Sequence, residues 1–124
     1  MKLNPDCIRD ILFVVEENAT FSTEVEQELL LEKMPANYTN TEILYHVRQC
    51  EYSGLFLNVT HYFGGFSIQD LSPRGHQFIN DIRKDTNWKK TKEIASSVGS
   101  TSLDVIKDIS AQVISNLISN QFSK

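Results

Sequence analysis

Residues 39–71 read TNTEILYHVRQCEYSGLFLNVTHYFGGFSIQDL, and the fold turns on them. Thr39 followed by Glu42 spells a capping box, in which a hydroxyl and a carboxylate each satisfy a backbone N–H at the start of a helix. Ile43, Val47 and Cys50, joined by Leu44, recur at the three-and-four spacing of one buried face, and Gly54 marks a stop. A helix is therefore expected from Thr39 to about Ser53, with Tyr45, His46, Arg48, Gln49 and Tyr52 on its flanks and outer side. Leu55 to Tyr62 is rich in β-branched and aromatic residues, Phe63-Gly64-Gly65 supplies a turn, and Phe66 to Leu71 returns, which predicts a β-hairpin.

Working back from this stretch, Asn4-Pro5-Asp6 gives a cap, a first-turn proline and an acid at the positive end of a helix dipole. Ile8, Ile11, Leu12 and Val15 then form one buried stripe of a helix running to about Asn18. Residues 23–34 read two ways. Alternation of Glu24, Glu26 and Glu28 with Val25, Gln27 and Leu29 suits a charged edge strand, while Thr23 with Glu26 spells another capping box; the strand is slightly favoured.

Working forward, Ser72-Pro73 caps a helix whose inner face is Phe78, Ile79 and Ile82. A short helix carrying Trp88 and Ile94 is expected to break at Gly99, and a long last helix begins near Ser102. Its apolar residues, from Val105 to Ile118, cover well over half its circumference, more than one core-facing side requires. Such a helix needs a second surface: the rest of the chain, a symmetry mate or a membrane. Its few lysines and lack of tryptophan argue against the membrane.

The chain has 124 residues, 40% apolar and 23% charged, with five glycines and three prolines. That excludes disordered, collagenous and disulfide-stapled classes and is enough for one core. Cys7 and Cys50 lie in helical apolar patterns without metal-ligand spacing and read as buried, reduced thiols. The amino terminus lacks a signal peptide's apolar core and no stretch is long and apolar enough to span a bilayer, so a cytoplasmic protein with no membrane partner is expected. Net charge is −4, unevenly spread: residues 1–57 carry four Lys or Arg against ten Asp or Glu, and the remainder eight against six. The acidic half argues against non-specific nucleic-acid binding, although five basic residues lie between Arg83 and Lys92, around Trp88.

The order helix, strand, helix, hairpin is that of a winged helix-turn-helix domain. The expected fold is therefore α+β, mostly α: a winged-helix-like domain over residues 1–85, with three to four helices and a hairpin wing, then a helical extension over 86–124 that packs on it or on a partner. Three segments also resemble a bacterial and prophage-associated family of unknown function: Met1 to Leu12, Glu42 to Gln49, and Leu71 through Gly75-His76 and Trp88 to Lys92. The chain departs from that pattern at Pro73 and in the two-way segment before residue 35. The resemblance implies genomic context and no reaction; the winged-helix comparison implies a DNA-binding or regulatory role by analogy.

If the domain docks on DNA, His46, Arg48 and Gln49 would reach base edges, and Thr39, Asn40 and Thr41 would bond phosphates. Lys89, Lys90 and Lys92 would follow a backbone beside Trp88, although a lone tryptophan is more often core. The alternative is a protein-interaction adaptor, with a host protein, a phage protein or a second copy meeting Val105, Ile109, Val113 and Leu117. His46, His61 and His76 match no metal spacing. With no phosphate loop, nucleophile elbow or carboxylate pair, the reading names no catalytic residue, metal, cofactor or small-molecule substrate.

Overall fold

The computed structural model describes residues 1–123 as an α+β protein, mostly helical, with six helices and one three-stranded antiparallel sheet among those residues. It divides into two compact units, Met1–His76 and Gln77–Lys124, whereas the sequence places the boundary after residue 85.

In the first unit α1 spans Pro5–Asn18, with Asn4 Oδ1 accepting from the Asp6 amide at 3.0 Å. Cys7, Ile8, Ile11, Leu12 and Val15 form its buried stripe, each aliphatic side chain contributing roughly 1.5–3 kcal/mol by leaving water. The segment that reads both ways is both. Val25–Glu26 form strand β1, and Gln27–Lys33 form α2 directly after it. The Thr23–Glu26 capping box does not form: Glu26 occupies the cap position without a side-chain bond, and Thr23 pairs with Thr20 instead. Glu26 cannot open a helix earlier because its backbone is in register with Ser67 of the sheet.

Helix α3 covers Asn40–Tyr52, and the hairpin is β2 (Val59–Tyr62) and β3 (Gly65–Ile68). Strand order is β1-β3-β2, with Val25 and Val59 both opposite Ile68. The regular strands are shorter than expected, yet Leu57 N–H donates to Asp70 O and Gln69 N–H to Asn58 O, so the ribbon continues to the Phe56–Leu71 bridge. Tyr62 pairs with Gly65, which leaves Phe63-Gly64 as the turn; Gly64, at φ +92°, takes the left-handed position that side chains disfavour.

Helix α4 (Pro73–Ile82) begins in the first unit and leads into the second. There α5 is longer than expected, Asp85–Val98, and ends at Gly99 with φ +76°. Helix α6 (Leu103–Phe122) is capped by the Ser102 hydroxyl and packs on α5. Phe78, Ile79, Ile82, Trp88, Ala95, Leu103, Ile106 and Val113 are its unit's buried apolar side chains. Among the described residues no helix is long and apolar enough to cross a membrane.

Candidate macromolecule-binding surfaces

Local chemistry sets α3 in place. The Thr39 hydroxyl accepts from Glu42 N–H and the Glu42 carboxylate accepts from Thr39 N–H, each at 3.1 Å, completing the capping box. At its far end Gly54 turns at φ +71° and Leu55 N–H reaches back to Cys50 O. The Ser72 hydroxyl donates to Gly54 O at 2.6 Å and Ser72 N–H to Leu55 O at 2.9 Å, clasping the exit of α3 to the entry of α4. The hairpin is tied to α3 by His61, whose Nε2 lies 2.9 Å from a Glu51 carboxylate oxygen. A cleft of about 220 Å³ remains between them, lined by Leu44, Arg48, Glu51 and Phe66 among others.

Of the residues expected to meet DNA from α3, Asn40, Thr41 and Arg48 are exposed, Thr39 is exposed with its oxygen engaged in the cap, and Gln49 is half-buried. His46 corrects the expectation. It is 1% exposed, its Nε2 accepting from Asn4 N–H at 2.8 Å and its Nδ1 facing Glu42 O at 2.7 Å. A carbonyl only accepts and an amide only donates, so these partners select the tautomer protonated on Nδ1. Position 46 stands three residues after Ile43 and four before Cys50, on the buried stripe, and α1's leading backbone supplies the polar partner that makes a histidine stable there.

The outward stripe of α3 is instead Thr41, Leu44, Tyr45, Arg48 and Tyr52, at helical spacing. The first four, with Met1, line a shallow hollow of about 250 Å³. Tyr52 is 73% exposed and Phe63 stands fully exposed at the hairpin tip. Leu44, assigned inward by sequence, is half-exposed and lines both the cleft and the hollow. The signal for it was its angular offset of about 100° from Ile43. Phe63 carried the only large apolar side chain of a Gly-Gly turn.

In the second unit Lys89 and Lys90 are exposed, and Lys92 is half-buried with Nζ 5.5 Å from the Trp88 ring centroid. Trp88 is itself 4% exposed, so its ring is part of the core and no platform for a base. The expected partner face of α6 is divided. Val113 is buried, on a stripe with Leu103, Ile106 and Ser110, and meets the groove described below only at its floor. Val105 and Ile109 are half-buried, while Leu117, Ile118 and Phe122 are exposed. An apolar groove of about 310 Å³ runs between α5 and α6, lined by Ile94, Ile109, Val113 and Leu117, with Lys90, Asp108 and several amides at its rim.

The three histidines are engaged apart: His46 in the core, His61 with Glu51, and His76 3.9 Å from Asp70. No group of three or more His, Cys, Asp or Glu that could hold a metal ion occurs among the described residues. Burial pushes the Cys7 thiol up to about 12, with Asp10 and Glu42 adding to it, and burial raises Cys50 as well. Neither thiol is therefore primed as a nucleophile. Tyr38 donates to Asp10 at 2.8 Å, and burial with that bond raises its phenol.

Residues 2–102 match the family described as "Hypothetical protein (DUF2513)", and the chain belongs to that family. The matched stretch takes in the first unit, α4 and α5, and stops before α6. An uncharacterized protein of Haemophilus influenzae is 28% identical over 124 residues, a similarity covering 95% of this chain and 99% of the relative. No solved structure matches the chain significantly.

Proposed function

We propose that this chain is a non-enzymatic binding protein of winged-helix type that works by docking a protein partner on the outward stripe of α3 and the adjoining hairpin. The order α1-β1-α2-α3-β2-β3, with β1 joining the hairpin through β3, supports the winged-helix reading. Charge carries the choice of partner. Met1–His76 holds five Lys or Arg against eleven Asp or Glu, a balance of −6, and α3 itself offers Arg48 against Glu42 and Glu51. A phosphate backbone is repelled by such a unit, whereas a protein surface with basic residues around an apolar centre complements Leu44, Tyr45, Tyr52 and Phe63 inside an acidic surround. An origin in phage or another mobile element rests on the resemblance across Met1 to Leu12, Glu42 to Gln49 and Leu71 to Lys92.

DNA is the second reading, favoured by exposed Arg48 beside Asn40 and Thr41 on the helix that winged-helix proteins place in the major groove. A photo-crosslinking residue at position 52, introduced in the native host, separates the two. Covalent adducts to one protein, lost when Arg48 and Tyr45 are replaced by Glu, are the expected result. Adducts to nucleic acid, with retardation of duplex DNA that weakens steeply as salt rises, would overturn the protein reading.

A further inference from the structure

The groove between α5 and α6 belongs to a different unit from the α3 stripe, and its chemistry is self-complementary. Two helices joined by the short Gly99–Ser102 connection form a hairpin that can cover only one side of its own apolar seam, and Ile94, Ile109, Val113 and Leu117 line what is left open. From Ala111 to Phe122 α6 carries no charged residue, so an acidic or basic partner finds no counter-charge along these three turns. Gln112, Asn116 and Asn120 run beside the apolar row at four-residue intervals. An amide both donates and accepts, so the one nearest a two-fold axis pairs with its own copy and the others accept any polar group opposite them. The groove's charged members are one cation, Lys90, and one anion, Asp108, so two copies brought together there carry no net charge into the seam. The acidic excess lies in Met1–His76, while Gln77–Lys124 holds seven Lys or Arg against five Asp or Glu, so a contact confined to the second unit avoids opposing two strongly acidic surfaces.

We infer that the occupant of this groove is a second copy of the chain, the two α5–α6 hairpins packing as an antiparallel four-helix bundle about a two-fold axis near Gln112. Leu117 of each copy then fills the other's groove. Ile118, exposed on the neighbouring face and lining a separate hollow beside Asp81 and Ser115, takes no part.

Sedimentation equilibrium on the full chain tests this. Expected is a dimer that Leu117→Glu weakens at least about tenfold, by placing a carboxylate in the seam, and that Ile118→Glu leaves unchanged. Both positions are exposed, so neither variant threatens the fold, which circular dichroism verifies. In parallel, Gln112→Cys is expected to form a disulfide-linked dimer under mild oxidation, and Gln121→Cys, nine residues on and so on the opposite side of α6, is not. The native thiols, buried and held protonated, leave the introduced cysteine as the reactive one. A chain that stays monomeric at several hundred micromolar would overturn the inference. A dimer indifferent to Leu117→Glu, or one crosslinked equally through position 121, would do the same. None of these outcomes bears on the α3 stripe, whose partner is read by the position-52 crosslink.

Discussion

Gly75 is the position at which the structure permits the sharpest quantitative test. A Cβ built there would overlap Leu55 O and sit 3.1 Å from Leu55 C, both backbone atoms that cannot swing aside as a side-chain tip can. Gly75→Ala therefore forces the first turn of α4 away from the exit of α3. Two hydrogen bonds clasp the two and give way together, Ser72 N–H to Leu55 O and the Ser72 hydroxyl to Gly54 O, while Gly75 N–H to the Ser72 hydroxyl caps α4 from within. Overpacking costs about 1–3 kcal/mol and each broken bond about 1 kcal/mol, while alanine regains about 1 kcal/mol in helix propensity. The net expectation is a destabilisation of about 3 kcal/mol. At a urea slope of roughly 2 kcal/mol per molar the unfolding midpoint falls by about 1.5 M. Ser72→Ala alone should cost about 1–2 kcal/mol as a missing cap, but only a few tenths in the Gly75→Ala background, where the clasp is already open. Gly64→Ala, with no atom within 4 Å of its added methyl, isolates the backbone strain of a positive φ at about 1 kcal/mol. A Gly75→Ala midpoint within about 0.3 M of the parent, or full additivity with Ser72→Ala, would refute the close approach of α4 to Leu55.

His46→Leu keeps an apolar side chain in the core but leaves Asn4 N–H without its acceptor; a destabilisation of about 2 kcal/mol in thermal unfolding is expected, and an unchanged transition would remove the tether between α3 and the start of α1. Asp81 is buried, which raises its carboxyl above the usual range against the lowering effect of the Gln77 bond. Because the folded state prefers the protonated acid, stability from this group is greatest below its unfolded value of about 3.8 and declines as pH rises through the raised folded value. Asp81→Asn, which can still accept from Gln77, should thus be more stable than the parent at pH 7 and no different at pH 3; urea titrations showing the reverse order would contradict the burial of this carboxylate.

The elements legible in the sequence are those specified by neighbours in the chain. Asn4-Pro5-Asp6, Thr39 with Glu42, and Ser72-Pro73 each satisfy local N–H groups, and each starts a helix where the residues say it should. The Gly54 and Gly99 stops are local in the same sense. The elements that escaped depend on partners far along the chain. Residues 23–34 switch from strand to helix at Glu26 because Val25 and Glu26 pair with Ile68 and Ser67, a constraint forty residues away that no local periodicity contains. His46 turns inward because Asn4 N–H, 42 residues earlier, offers it a bond; without that donor an outward histidine costs less. Trp88 likewise draws Lys92 over its ring, so part of a basic run that looks available to phosphate is committed within its own helix.

That commitment bears on the partner. A winged helix held on DNA by its third helix relies on several cation–phosphate contacts, and the affinity each contributes appears as a salt slope of about −0.9 per neutralised phosphate. Helix α3 supplies one cation, Arg48, between two carboxylates, and the five basic residues of its unit stand among eleven acids. Base contacts from Arg48 and Asn40 could discriminate sequence only after the duplex had been brought close, and at a screening length of about 8 Å the surrounding carboxylates oppose that approach rather than merely failing to assist it. The half-apolar stripe through Leu44, Tyr45 and Tyr52 is also poorly matched to phosphates and well matched to the desolvated centre of a protein interface, where tyrosine is enriched. On the proposed reading, the exchange of surface charge for aromatic and aliphatic side chains along this helix suits it to a protein partner over DNA.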